Sequence, residues 1–522
     1  VDRAIGAAFP GWGLRRHQAR MRLEAASGLG RVPARGGQKT GTLHNWAVNR
    51  LSRLGEALER ENVTDRAEDL AANDPHAASC IDSMSVNVVG TGLTPQSRPR
   101  YQLLGITEDE AREIADQAEW IFRKWCAVAD ASRLGHFQDL TFLNIYQMLR
   151  NGEYVNIPLM RSRPDPDSGL ALCLQPVSSL RLRTPTDLAG DPRIRDGIRL
   201  GELGEPVRYH IADPPETLGG ITLALSSEHF STYPARIGHR PGILHGFYRR
   251  ETDQVRGQSI LAPAMKFFKD LSDYLDFELV GNIVASSFPL WIERQAAWDG
   301  IEGLPAHDPQ NQDTTRYQEL EPGSIYYGNA GEKPHPLKSE RPSNTFEGFV
   351  QTILKAVSAS AGLPYEVVSK DFSKTNYSSA RAALLEAWRV YQLYRQWLVR
   401  RFCQPVWEMV FEEAWLRGLI RLPAGGPDFY AARKEYTYAT WIGPPKGHVD
   451  PVKEIEANIQ GLEKNIFTLA DLVAEQGGDW ETTLEQRSRE RQMERAQDVE
   501  PEPDGGSRRT AGRGTRDREE ED

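Results

Sequence analysis

Apolar residues recur at helical steps along much of this chain, and one stretch sustains the pattern longest. Behind Ser378 and Ser379 they fall at Ala380, Leu384, Trp388, Tyr391, Leu398 and Phe402, with a gap at Arg395. Steps of three and four put these on one helix face. A serine hydroxyl accepts from the free N–H groups of a first turn, so Ser378 or Ser379 can cap the helix. The spacing predicts a helix over 379–415, about 55 Å long. Pro405 predicts a bend, since proline lacks a donor and crowds the preceding turn. Ahead of this helix, Gly362 and Pro364 end an earlier one, and Tyr365 to Tyr377 carry no sustained period. That stretch holds Glu366, Lys370, Asp371, Lys374 and Asn376 and reads as a polar surface connection.

Further helices follow from the same pattern. One covers 46–72, with Leu51, Leu54 and Leu58 on a face. Asp74 is a natural N-cap and Pro75 a natural first residue for the next, which carries Ala78, Ile81, Met84, Val88 and Val89 and stops at Gly90 and Gly92. Thr107 and Glu110 form a capping box before Ala111, Ile114, Ala118, Phe122 and Trp125. A helix over 141–150 ends at Gly152. The period then shortens, and strands are predicted at 154–160, 171–175, 180–183, 207–211 and 243–248 between Pro, Gly and Asp turns. A helix from Pro263 places Met265, Phe268, Leu271, Leu275, Leu279 and Ile283 on one side. From 289 to 342 the pattern is loops with two short strands. Asn344 to Ala361 returns to helix, with Phe346, Phe349, Ile353 and Val357 on a face. Mixed loop and strand is expected over 418–438. Asp450 then caps a helix with Ile455, Ile459, Leu462 and Ile466 in a stripe. From Arg487 onward almost nothing is apolar, a composition that does not offset ordering entropy.

With 522 residues, the chain has room for three or four domains or one large discontinuous α+β fold. Its 39% apolar content supplies a core, while a mean hydropathy of −0.54 indicates much exposed surface. No apolar run approaches the roughly 18 residues of a membrane span. The basic N-terminus lacks a signal-peptide core, and Trp12 and its short length argue against an organelle transit segment. Cys80, Cys126, Cys173 and Cys403 lie far apart without CxxC spacing, as reduced core thiols of a cytosolic protein would.

Candidate chemistry is sparse. GLGRVPARGGQKTGT fails as a phosphate loop, because Gln38 precedes Lys39 and no buried strand leads in. GQSIL is not a nucleophile elbow, since Leu261 stands where glycine is required. His307-Asp308 and His335 read as solvated side chains before metal ligands. Tryptophan and tyrosine stripes can stack bases, but at helical spacing they read first as core or interface. The residues support no enzyme reading, no catalytic group and no cofactor.

Three motif blocks do carry a likeness. LPYEVVSKDFSKTNYSSARAALLE, at 363–386, resembles the signature of lambda-type portal proteins of tailed phages. Arg66, Asp69 and Leu70, then Asn73-Asp74-Pro75, and later Asn87 to Gly92, are similar to a second hallmark. Trp441, Pro444, Asp450-Pro451, Lys453-Glu454, Thr468 and Gly478-Asp479 are similar to a third, with a departure at Lys464 to Phe467. The resemblance implies a portal fold with long helices lining a ring channel. It divides the chain into a flexible arm (1–43), the first α+β part of a wing (44–255), a stem helix (256–288), a clip (289–342) and a second stem helix (343–362). A tunnel loop (363–378), a long helix with the rest of the wing (379–445), a crown (446–486) and a disordered tail (487–522) complete it.

The same resemblance implies a non-enzymatic ring, twelve subunits by the family norm, at the unique vertex of a phage head. Its partners would be double-stranded DNA in the channel, the terminase large subunit, the major capsid protein and head-tail connector or completion proteins, with no membrane. Glu366, Lys370, Asp371, Lys374 and Asn376 would face the DNA. A non-enzymatic assembly protein of another virion part is the alternative. Net charge is −10, from 63 basic and 73 acidic residues. Tight DNA binding needs phosphate neutralisation, so this balance disfavours a grip and is compatible with a conduit, or with an ordinary acidic protein.

Overall fold

Helix α1 (Arg53–Asn73) stops at Asp74, and α2 (Pro75–Val88) starts directly behind it. The Asp74 carboxylate accepts from the N–H groups of His76 and Ala77, while Pro75, having no N–H, needs no acceptor. Ala77, Cys80, Ile81, Met84 and Val88 bury one face. This computed structural model describes residues 53–214, 217–218, 221–222, 229–286, 290–294, 332–336, 346–373, 375–445 and 451–496. Val1–Glu59 and Arg60–Asp522 form separate units, and of the first only the opening of α1 is described. The expected arm at 1–43 therefore lies outside the described residues.

Strand β1 (Thr94–Ser97) leads to α3 (Glu108–Cys126), where the Thr107–Glu110 capping box forms and Ala111, Ile114, Ala118, Phe122 and Trp125 are buried as the period requires. Helix α4 (Phe137–Asn151) starts at Phe137 rather than Thr141. Its cap is His136, whose ring nitrogen accepts from the Gln138 N–H while the Asp139 carboxylate accepts from the His136 N–H. Gly152 ends α4 at φ 94°, and a Cβ there would meet the Gln258 backbone at 2.2 Å.

Strand β2 (Glu153–Met160) is the middle of an antiparallel sheet, between β3 (Leu172–Val177) and a later strand over Leu244–Phe247. A second sheet contains β4 (Ile194–Arg195), β5 (Ile198–Leu200), β6 (Pro206–Ala212) and β7 (Phe230–Pro234) in sequence order. Leu244–Phe247 is thus β8. Both faces of β2 are covered. Tyr154 meets Trp397 and Phe402 on the helical side, while Val155 and Ile157 join Ile198, Tyr209 and Ile211 in a second apolar cluster. The strand expected at 180–183 is instead a 3₁₀ turn over Ser179–Arg181, and only Leu182 bridges, to Ile211. Ser178 accepts from the Leu180 N–H there, a side-chain bond that competes with ladder pairing.

Helices α5 (Met265–Ser286) and α6 (Phe346–Ala361) pack together. The α5 stripe is only half covered: Phe268 and Leu271 are buried, but Leu279 and Ile283 are 61% and 59% exposed. On α6, Ile353 and Val357 are buried, and Phe349 is half exposed against Tyr274. Between them β9 (Leu290–Arg294) pairs with β10 (Glu332–Pro336), setting Trp291 opposite His335. His307 and Asp308 lie outside the described residues.

A short α7 (Tyr365–Ser369) precedes α8 (Tyr377–Leu398). The single helix expected over 379–415 forms as one continuous helical run that carries a π-turn. A π-helical turn occupies Val399–Cys403 and α9 (Gln404–Leu416) follows. Pro405 has no N–H for the carbonyl one turn back, and the wider turn ahead of it absorbs the mismatch. The cap is Asn376, not Ser378 or Ser379: its side chain accepts from the Ser379 N–H at 2.9 Å. Ala387, Tyr391, Tyr394, Trp397 and Leu398 form the buried face, whereas Leu384 is 37% exposed. Phe402 and Trp407 reach back to Phe137 and Phe122, joining late chain to early chain in one aromatic core.

Residues 418–438 hold coil and a short helix over Arg433–Tyr436 rather than a strand. The strand comes later, as β11 (Ala439–Ile442), antiparallel to β1 with Thr94 opposite Ile442. Three helices end the described chain: α10 (Pro451–Glu463), α11 (Leu469–Glu475) and α12 (Trp480–Ala496). Asp450, the expected cap of α10, is outside the described residues. The α10 stripe stays exposed at Ile455 and Ile459, and Ile466, expected in it, is exposed in the turn beyond the helix. Helix α12 runs through Arg487, where disorder was expected to begin, with Gln486 donating to Glu490 one turn on.

Candidate functional site

The connection between α6 and α8 is more ordered than its lack of period suggests. Helix α7 occupies its first half, and Val367 and Val368 are buried beneath it. Two valines are too few to register as a period, so sequence reasoning missed them. The platform under the loop is α2. Ser79 Oγ donates to the Val368 carbonyl at 2.8 Å, and the Lys370 ammonium donates to Ser83 Oγ. Lys370 ends α7 at φ 58°, a left-handed position that normally takes glycine. The bond to Ser83 holds the side chain while the backbone turns.

The other loop residues have separate roles. Glu366 is half-buried in the first turn of α7, where a carboxylate favours the helix dipole. Asp371 accepts from the Ser373 N–H and hydroxyl at 2.9 and 2.6 Å. Asn376 caps α8. Lys374 lies outside the described residues. Thus Glu366, Lys370, Asp371 and Asn376 lie along one connection pinned at both ends, and Phe372 and Tyr377 are 47% and 48% exposed upon it.

Arg395, the gap in the α8 stripe, ties α8 to the same platform. Its guanidinium donates to the carbonyls of Val88 and Asn87 at 2.9 and 2.8 Å and lies 5.0 Å over the Trp388 ring. Those carbonyls are the free end of α2. Burial draws this arginine down to about 10. The break in an apolar stripe was the available signal: a charge facing a core position needs partners.

A second feature had no such signal. Glu153 opens β2 with no exposed surface and accepts from Arg256 Nε, from His245 Nε2 at 3.0 Å and from the Gly257 N–H at 3.0 Å. Arg256 also donates to the carbonyls of Leu182, Ser179 and Asp196. Asp196, at φ 47°, takes Arg60 as well. Burial alone would raise the Glu153 carboxyl, but Arg256 and His245 outweigh it and hold it well below the usual carboxylate range. The cluster joins β2, β8, the turn before β5 and the chain entering α5.

Among the described residues no cluster of His, Cys, Asp and Glu could hold a metal, and no helix is long and apolar enough to cross a membrane. All four cysteines are free and buried.

The family model described as phage portal protein, lambda family, matches residues 40–395. The portal protein of Escherichia phage N15 is 25% identical over 496 residues, covering 89% of this chain and 91% of that protein. Portal protein B of Escherichia phage lambda is 25% identical over 490 residues, covering 88% and 89%. The probable portal protein of Halomonas phage phiHAP-1 is 22% identical over 427 residues, covering 81% and 78%. Among solved structures, a chain from the neck of a native gene transfer agent particle, determined with C12 symmetry, aligns with a TM-score of 0.38 and 15% identity over 79% of this chain and 93% of that one.

Proposed function

The chain belongs to the lambda family of phage portal proteins, and from that premise we propose that it closes into a ring through which double-stranded DNA enters and leaves the head. The family match across most of the chain carries this reading. The half-covered apolar faces of α5 and α10 support it, since they are surfaces that neighbouring copies would bury. In this reading α5 and α6 are the stem, the β9–β10 pair belongs to the clip, the sheets and long helices form the wing, and α10 to α12 form the crown. The packaging motor, not this chain, hydrolyses ATP. Terminase, the major capsid protein and the head-tail connectors dock on its outer surfaces.

The loop over 363–378 faces the channel in this arrangement. Lys370 and Lys374 repeat around the axis beside Glu366 and Asp371, so the net field is weak. A weak field suits sliding, because a fixed contact to each phosphate would set a barrier at every step.

Twelve copies of 58.6 kDa give roughly 700 kDa as a closed heterologous ring. Mass photometry should find a species near that mass, and a strictly monomeric protein across salt and concentration would refute the ring. Lys370→Ala with Lys374→Ala should keep the ring and change DNA packaging or retention. Ser83→Ala, which removes the Lys370 bond but keeps both charges, should package normally. Normal packaging by the double variant would remove these lysines from transport.

A further inference from the structure

A side-chain-sized cavity of about 260 Å³ opens between α9 and the tight turn that joins Arg236–Ile237 to Arg240–Pro241. Glu412 of α9 lines it and is 3% exposed. One oxygen of this carboxylate accepts from the Tyr430 hydroxyl at 3.0 Å. The other, Oε2, has Arg240 Nε at 2.9 Å and Arg433 Nη2 at 3.7 Å as charge partners, yet among the described residues it accepts no hydrogen bond. A buried acceptor left open is costly and calls for a donor. The walls are the rings of His239 and Tyr430, with centroids 5.9 Å apart, and Ile237, which is 62% exposed. Arg433 Nη1 donates to the His239 carbonyl at 3.0 Å and fixes the turn.

The charges decide what fills this cavity. Arg240 and Arg433 stand against Glu412 and Glu408, the latter 3.3 Å from Arg433. An entering cation would meet two arginines and an entering anion would meet Glu412. A neutral donor on a flat apolar body fits, and among side chains the indole is neutral, aromatic and donor-only. Trp120 on α3 offers such a group: it is 56% exposed, with Lys124 Nζ 3.6 Å over its ring. It points away from the cavity of its own chain. Helices α3 and α9 meet where Phe122 packs on Trp407 at 5.1 Å. Glu412 lies about 140° round α9 from Trp407, and Trp120 about 160° round α3 from Phe122. Knob and cavity therefore face opposite ways across the α3–α9 contact.

We propose that this cavity receives Trp120 of the partner subunit, a second copy of this chain, with the indole N–H donating to Glu412 Oε2 and the ring lying on Tyr430, His239 and Ile237. The proposal rests on the ring reading and names one of its subunit contacts. A surface knob and a cavity on opposite sides of one chain make a heterologous contact, in which every copy gives one tryptophan and receives one. Repeated with a constant rotation, such a contact closes a ring. Tryptophan anchors in partly buried pockets carry a large share of interface energy.

Cross-linking of the full-length protein tests the pairing. Asp116→Cys, one turn before Trp120, and Ala431→Cys, beside Tyr430, are placed together in one chain; both positions are exposed, while the native cysteines are buried. A short bismaleimide should join copies of this double variant into a ladder of covalent multimers on a denaturing gel, and each single variant should run as a monomer. Trp120→Ala removes exposed surface and the Lys124 contact alone, so the chain should fold. In mass photometry it should raise the concentration at which half the chains stand in rings by at least about tenfold. Trp120→Phe, which keeps an aromatic body without the N–H, should fall between. Rings of normal mass that give no ladder overturn the pairing and leave the ring reading standing, as do Trp120→Ala rings that form at the parent's concentration. A parent chain that never forms rings overturns both.

Discussion

Replacing Glu153 by alanine is the sharpest test of how the two sheets are joined to the helical core. The substitution removes the acceptor of Arg256, His245 and the Gly257 N–H at once. Arg256 would keep Asp196 at 3.2 Å and three carbonyls, so its charge would not be wholly abandoned. Breaking a buried pair by removing one partner costs about 3–5 kcal/mol, and the orphaned Gly257 N–H adds to the upper end of that range. Urea unfolding followed by tryptophan fluorescence should therefore lose about 3–5 kcal/mol at pH 7. The pH dependence has a definite sign. The folded Glu153 carboxyl sits below its unfolded value, so its contribution is present above about 4.5 and is lost as pH falls through the folded value. The gap between parent and variant should thus narrow below pH 4.5. Glu153→Met with Arg256→Met, which replaces the whole pair by apolar groups, should lose less than Glu153→Ala alone. If Glu153→Ala unfolds within about 1 kcal/mol of the parent at pH 7, the cluster does not join the sheets to the core, and the account of the fold around β2 fails.

Two further outcomes follow from burial. Leu398→Ala on the covered face of α8 should cost about 2–5 kcal/mol, whereas Leu384→Ala on the same helix should cost under about 1 kcal/mol, in parallel urea titrations; equal losses would mean that α8 is covered on both faces. The four cysteines should resist a thiol reagent in native protein and all react in urea, because burial lifts Cys80 to about 12 and raises Cys126 and Cys403 as well; rapid native labelling would contradict their placement.

Local signals reported two helix starts and one helix end, whereas the starts of α4 and α8 lie at other caps, His136 and Asn376. Asp74-Pro75, Thr107 with Glu110, and Gly152 act on the backbone within a turn, and each appears where the residues put it. Signals that depend on a distant partner were silent. Arg256 reads as an ordinary loop arginine until β2 brings Glu153 to it from 103 residues away. The Leu384 error has the same origin: periodicity gives a stripe, but only packing shows where along the helix that stripe is covered. In the loop at 363–378, the polar residues were legible as polar. Their attachment to Ser79 and Ser83 on α2 was not, because those serines lie in another element. The pairing of 94–97 with 439–442 was likewise beyond reach, although Trp441 stood in a noticed motif.

The packing of Phe402 against Phe137 and of Trp407 against Phe122 bears on how the protein is made. Translation delivers α3 and α4 long before α9. At about 5–20 residues per second, the apolar faces of the early helices wait roughly 15–55 s for the aromatic rings that cover them. The β1–β11 pair closes later still. A nascent chain therefore holds an unfinished body until residues 439–442 have been made, and the loop-closure entropy of such distant contacts slows their formation further. The order in which the core is delivered therefore sets the earliest moment at which a complete body exists.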